Sequence, residues 1–136
     1  MKLILYMECD AASWSLDYEN TEAIIKGFNA DQIINIGVGN AKDVLNDFTD
    51  KVNAKIYTPF MPCKTSSRLQ SDYHIKILKE ENPDIYLALH KDITKSKLII
   101  KSITRAFKAG KPVFIHNGVE LKTFSDYFPN EVVDAS

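Results

Sequence analysis

The sequence predicts an α/β domain of three layers, an open parallel sheet of about five strands with helices on both faces. Three observations carry that expectation. Short β-branched runs recur along the chain, nearly continuous in apolar character, as strands buried on both faces are. Amphipathic segments with helical spacing alternate with them. Glycine, proline and asparagine punctuate the junctions. Strand and helix alternating in this way give a parallel sheet with right-handed crossovers.

The strand-like runs fall at residues 3–7, 33–36, 55–58, 85–89 and 112–116. Between them, residues 21–28 place Ile24, Ile25 and Phe28 on one helical face, and residues 41–52 do so with Val44, Leu45, Phe48 and Val52. Residues 66–79 carry Leu69, Tyr73 and Ile77, with His74 read as structural; residues 94–109 carry Leu98, Ile99, Ser102, Ile103 and Phe107. Asn82-Pro83-Asp84 stops the third helix, because the residue before proline is pushed out of the helical region. Gly110-Lys111-Pro112 stops the fourth, with glycine one place past the cap. Residues 121–128 read as either a short helix or an edge strand, and 132–136 as a loose tail.

Bulk properties narrow the class. The chain has 136 residues, 45% hydrophobic and 26% charged, ordinary globular usage. No repeat, low-complexity tract or linker divides it, so residues 1–136 are expected to form one domain. A chain of this length buries roughly two-thirds of its unfolded surface and needs no metal or disulfide to hold a core. A net charge of −1 argues against a general nucleic-acid binder. No run approaches the ~18 apolar residues of a membrane span. The first apolar run is too short for a signal peptide, and Cys9 and Cys63 then read as free thiols in a cytoplasmic protein. Fifteen Lys against two Arg, with 15 Ile and 9 Asn, is the usage of an AT-rich genome, bacterial or phage.

In open parallel sheets the ligand crevice lies beyond the carboxyl ends of the strands. The loop after the first strand, Glu8-Cys9-Asp10-Ala11-Ala12-Ser13-Trp14, reads in two ways. Either Ser13 meets a polar ligand group and Trp14 stacks on a flat ring, or the loop is an ordinary connection with Trp14 capping the core. After the second strand, Gly37-Val38-Gly39-Asn40-Ala41-Lys42-Asp43 opens a helix. Gly37 and Gly39 let backbone approach a ligand, Asn40 is a good N-cap, and a helix N-terminus suits phosphate; tight strand–helix turns also use glycine for their own sake. Arg68 opens the third helix, where a cation opposes the helix dipole. It reads as a partner for an anion or as a surface arginine paired with Asp72.

After the fourth strand comes His90-Lys91-Asp92-Ile93-Thr94, and after the fifth His116-Asn117-Gly118. His90 and His116 are candidates for general acid–base work. Cys9, His90 and His116 could share a sheet edge as zinc ligands, although the spacings of known zinc sites are absent. Neither a resident metal nor a cofactor is expected. For an N-glycosidic hydrolase, Glu8, Asp10 and Asp43 are the carboxylates at the strand edge.

The order of these pieces resembles the SLOG superfamily, the Rossmann-like nucleotide-binding domains related to DprA/Smf and to the LOG phosphoribohydrolases. Ser13-Trp14-Ser15-Leu16-Asp17, the Gly37–Asp43 turn, Arg68, Ala88-Leu89-His90 and Ala109-Gly110-Lys111-Pro112-Val113 carry the likeness, through about Gly118. The resemblance implies a Rossmann-like sheet and a nucleotide-type ligand. One departure bears on activity. LOG-type enzymes carry Pro-Gly-Gly-x-Gly-Thr and a glutamate after the fourth strand, where this chain has His90-Lys91-Asp92-Ile93-Thr94. Binding of a nucleotide-derived molecule is therefore the expected role. A hydrolase, and an accessory protein acting on a host protein, are the alternatives. A homo-oligomer through an edge strand or helix face fits any of the three.

Overall fold

The computed structural model describes residues 1–7, 18–50, 52, 54–58 and 67–129, without the side chains of 18, 67–71 and 98. The strands are β1 (Lys2–Tyr6), β2 (Gln32–Asn35), β3 (Lys55–Tyr57), β4 (Ile85–Leu89), β5 (Val113–His116) and β6 (Leu121–Thr123). The helices are α1 (Tyr18–Gly27), α2 (Asn40–Thr49), α3 (Ser67–Glu81), α4 (Lys97–Lys108) and α5 (Phe124–Tyr127). The sheet order is β3-β2-β1-β4-β5-β6. The first five strands run parallel, with Leu3 of β1 opposite both Ile33 of β2 and Ile85 of β4.

Side-chain alternation along the strands makes two cores. Ile4, Tyr6, Ile34, Tyr86, Ala88 and Ile115 point to one face and pack with Ile77 and Leu78 of α3 and Ile99, Ile103 and Ala106 of α4. Leu3, Leu5, Ile33, Leu87 and Leu89 point to the other and pack with Ile25 of α1 and Ala41, Leu45 and Phe48 of α2. Each such fully buried Leu, Ile or Phe contributes about 1.5–3 kcal/mol. The three expected layers are present.

The sheet differs from expectation at its end. It has six strands, and β6 is antiparallel to β5, with Phe114 opposite Thr123. The reversal is local chemistry. Asn117 Oδ1 accepts from the N–H groups of Val119 and Glu120 (both 2.9 Å), and Gly118 adopts φ 96°. A turn of this kind needs a residue free to take positive φ. The segment expected as strand or helix is both in succession: Thr123 ends β6 and opens α5 with a capping box to Asp126.

Helix ends follow the punctuation. After α4, Gly110 (φ 83°) donates to the Phe107 carbonyl and Lys111 to that of Ala106, the two bonds of a Schellman motif. Asn82 (φ 44°) ends α3 in the same left-handed conformation ahead of Pro83. The fourth helix starts later than the apolar spacing suggests. Ile93–Lys95 forms a separate 3-10 turn, and Ser96, extended at φ −118°, caps α4 by accepting from the Ile99 N–H (3.2 Å).

One polar group of residues is enclosed in the α3/α4 core. His74 Nδ1 meets Ser102 Oγ at 2.6 Å, and the His74 ring packs edge-on against Tyr6 with centroids 4.4 Å apart. The Tyr86 hydroxyl and His74 Nε2 are buried without a hydrogen-bond partner among the described residues. Burial lowers the His74 pKa to about 3, because the imidazolium would lose its hydration.

Two outcomes follow from this enclosed group. The unfolded chain takes up the His74 proton near the ordinary pKa of 6.5, while the folded chain resists it until about 3. The contribution of neutral His74 is therefore complete above pH ~6.5 and declines as pH falls, by up to about 1.4 kcal/mol per pH unit. Urea titrations of wild type and His74→Asn between pH 7 and 5 should give a flatter pH dependence for the variant; parallel slopes would refute the assignment. Tyr86→Phe removes an unpartnered hydroxyl, so its melting temperature should equal or exceed that of wild type, whereas a loss above about 1 kcal/mol would show that the hydroxyl has a partner.

Candidate functional site

The strand order places the topological switch between β1 and β4, since the chain leaves β1 toward β2 and leaves β4 toward β5. The crevice of an open α/β sheet lies at that point, beyond the carboxyl ends. The segments that follow β1, β2 and β4 in the chain are the ones to consider there, and those after β2 and β4 are described. Glu8, Cys9, Asp10, Ser13 and Trp14, in the first, lie outside the described residues, as does the side chain of Arg68. The Arg68 backbone lies in the first turn of α3. Asp72, the partner weighed for it, sits 3.7 Å from Arg105 of α4. That pair is largely exposed and contributes little.

The β2–α2 turn is organised by Asn35, a residue not among the sequence candidates. It is wholly buried, and its Oδ1 accepts from the Gly37 N–H (2.8 Å). Its Nδ2 donates to the Lys42 carbonyl (2.9 Å) and to Asn46 Oδ1 (2.8 Å). Met7 and Val38 add a backbone bond, Val38 N–H to the Met7 carbonyl at 3.1 Å, which ties the turn to the end of β1. The sequence signal was a polar residue inside the apolar run Ile33-Ile34-Asn35-Ile36. A buried polar side chain is the informative departure in such a run.

The two glycines are needed by the turn itself. A Cβ on Gly37 would stand 2.7 Å from the Lys42 nitrogen and 2.8 Å from the Ala41 carbonyl carbon, so only glycine fits. Gly39 takes φ 59° and ψ −126°, a conformation that L side chains rarely adopt. Gly39 is also the N-cap of α2. This corrects the expectation for Asn40, which begins the helix rather than capping it, because the chain enters through a backbone angle only glycine takes readily. The N–H groups of Ala41 and Lys42 donate to the carbonyls of Val38 and Gly39 (both 3.2 Å). Those two donors of the helix start therefore turn inward. Gly39 and Asn40 remain on the exposed rim, together with Asp43 in the first turn. The Asp43 carboxylate suits the positive helix end and opposes a phosphate placed beside it.

His90 directly follows β4 at the switch point and is 8% exposed. Its N–H donates to the His116 carbonyl (3.1 Å), and its Nδ1 accepts from the Asp92 N–H (2.9 Å). In the neutral ring this puts the proton on Nε2, which makes His90 a hydrogen-bond donor there. The Thr94 hydroxyl (2.6 Å) and N–H (3.1 Å) both donate to Asp92 Oδ1 and hold that carboxyl below its usual range. Asp92 therefore stays anionic within two residues of the imidazole.

His116 serves the framework instead. It is fully buried, donates from Nδ1 to the Glu120 carbonyl (3.3 Å), and accepts at Nε2 from the Thr21 hydroxyl (2.9 Å). Both ring nitrogens are used to brace α1 against the β5–β6 turn. Alternation in β5 sends His116 to the face it shares with its register partner Leu89. This corrects its candidacy for acid–base work and for a shared zinc set. Among the described residues no three His, Cys, Asp or Glu side chains form a metal-binding group. No helix of the described residues is long and apolar enough to cross a membrane.

The fold and this edge define the class: a Rossmann-like α/β domain with its candidate site at the β1/β4 switch point. No family model matches the chain, and no curated protein matches it.

The turn's architecture is testable without a ligand. Asn35→Ala leaves buried partners of three hydrogen bonds exposed to loss and should cost about 2–4 kcal/mol. Gly37→Ala should cost about 1–3 kcal/mol by overpacking. Chemical denaturation measures both, and a change below about 0.5 kcal/mol in either would contradict the described turn.

Proposed function

We propose that this domain binds a nucleotide or nucleotide-derived small molecule at the β1/β4 switch point. The observation that carries the reading is His90. It stands at the end of β4 at the switch, nearly buried, with its tautomer fixed by the Asp92 N–H so that Nε2 is a donor. What supports the reading is its place: an oriented polar side chain at the switch point, where open α/β sheets bind their ligands. The exposed Gly39 and Asn40 at the start of α2 offer backbone approach on one side of it. In this reading Ser13 and Trp14 contribute a polar contact and a stacking surface, and Arg68 a charge. The likeness to SLOG domains points the same way.

Binding is favoured over N-glycosidic cleavage by the same residue. A general base at His90 would have to use Nδ1, which already accepts the Asp92 N–H. Of the carboxylates considered, Asp43 sits exposed on the first turn of α2 and is not enclosed by other groups.

A panel of nucleoside mono-, di- and triphosphates and cyclic dinucleotides should raise the melting temperature for at least one member. Ligand at 100 times its Kd stabilises by about 2.7 kcal/mol. His90→Ala should abolish that shift while leaving the unliganded protein folded. A folded wild type whose melting temperature no member moves would refute the reading. Turnover of a panel member, followed by chromatography and lost on replacing Glu8, Asp10 or Asp43, would favour the hydrolase instead.

A further inference from the structure

The opposite edge of the sheet carries a separate surface. A groove of about 510 Å³ runs between the C-terminal halves of α3 and α4. Its apolar lining is Ile75, Leu78 and Ala109, of which Leu78 is buried. Its cationic lining residues are Lys79, Arg105, Lys108 and Lys111, with no carboxylate among the described lining residues. The charge continues along α4, where Lys97, Lys101, Arg105 and Lys108 recur at helical spacing and Asp and Glu are absent. Cations in a last turn complement the helix dipole, which accounts for one or two of them. It does not account for a stripe running the length of a helix in a chain whose net charge is −1. Lys79, Lys101 and Lys108 make no ion pair among the described residues, while Arg105 has Asp72 at 3.7 Å. Lys111 donates to Asn82 Oδ1, which fixes its place in that lining.

We propose that this groove docks an acidic amphipathic segment of a partner protein, with an apolar side chain against Ile75 and Leu78 and carboxylates against the cationic side chains. The charge and the shape together select this occupant. Single-stranded nucleic acid is held by aromatic platforms, and no aromatic side chain lines the groove among the described residues. A membrane surface takes a projecting apolar face, but this surface is concave, and the exposed large hydrophobics among the described residues, Met1, Ile56, Tyr57, Val119 and Leu121, lie outside it. A segment with apolar anchors in a groove and flanking charges matches a recurring mode of peptide recognition. The site is independent of the one at the β1/β4 switch and stands whether or not a nucleotide binds there.

The test uses a fluorescent synthetic peptide with leucines at helical spacing flanked by glutamates. Two controls replace its leucines by serine or its glutamates by lysine. A thymidine oligonucleotide and vesicles of phosphatidylcholine with phosphatidylglycerol serve as the other probes. Anisotropy should show saturable binding of the Leu/Glu peptide alone, weakening with added salt. Arg105→Glu combined with Lys108→Glu should reduce affinity roughly tenfold or more, while Lys122→Glu, on β6, should not. Lys108→Gln alone should weaken it less, and serves if the double variant melts early. No binding of the Leu/Glu peptide, equal binding of the serine control, indifference to the Arg105 and Lys108 changes, or preference for the oligonucleotide or the vesicles would each overturn the proposal.

Discussion

Everything in this molecule depends on β1 and β4 being covered on both faces. Leu3, Ile4, Leu5, Tyr6, Leu87 and Leu89 are fully excluded from water, and neighbouring residues point into different cores. A sheet packed in this way has no face left for polar chemistry. Apart from the Tyr86 hydroxyl and His74 Nε2, buried without a partner among the described residues, polar groups are enclosed with partners or pushed to the strand ends. Asn35, His90 and His116 all occupy carboxyl ends of strands or the residue just beyond, and hydrogen bonds to backbone hold each of them.

The same constraint separates the protein into two edges with different chemistry. At the carboxyl ends, among the described residues, the β2–α2 turn runs straight into a helix start, and the parts on display are Gly39, Asn40, Asp43 and the loop of His90. At the other end, helices stop in left-handed caps at Asn82 and Gly110, and their last turns bring lysine and arginine around an apolar groove. A small ligand is what we propose for the first edge, where His90 stands at the switch point with its ring oriented by the Asp92 N–H. An acidic chain segment is what we propose for the second, where apolar and cationic side chains line one groove.

The parallel core was legible because its signal is long-range and repeated. Five apolar runs, each followed by a stripe of helical period, admit few arrangements. The antiparallel β6 was less legible: Leu121-Lys122-Thr123 is short and only partly buried, so it carries no periodic pattern. What makes it a strand is the Asn117 side chain and the positive φ of Gly118. The break between the 3-10 turn and α4 was hidden for a related reason. Apolar spacing runs through it from Ile93, and only the Ser96 cap interrupts the helix.

The β2–α2 turn was legible in position and less so in role. Gly37 and Gly39 announce a tight turn, but a sequence does not distinguish close approach to a ligand from close approach to one's own helix. Here the Lys42 nitrogen and Ala41 carbonyl carbon occupy the space that a Gly37 side chain would need. His90 and His116 look alike in sequence, each following an apolar run, yet His116 is consumed by Thr21 and the Glu120 carbonyl. The two differ by a single step of strand alternation, and α1 supplies the hydroxyl that decides the second.

The most direct test of the account is where a small ligand perturbs the backbone. A two-dimensional amide NMR titration with adenosine and guanosine nucleotides reads both edges at once. The account predicts shifts concentrated at residues 37–42 and 90–92. Shifts concentrated instead at Lys79, Lys108 and Lys111, or none at saturating nucleotide, would contradict it.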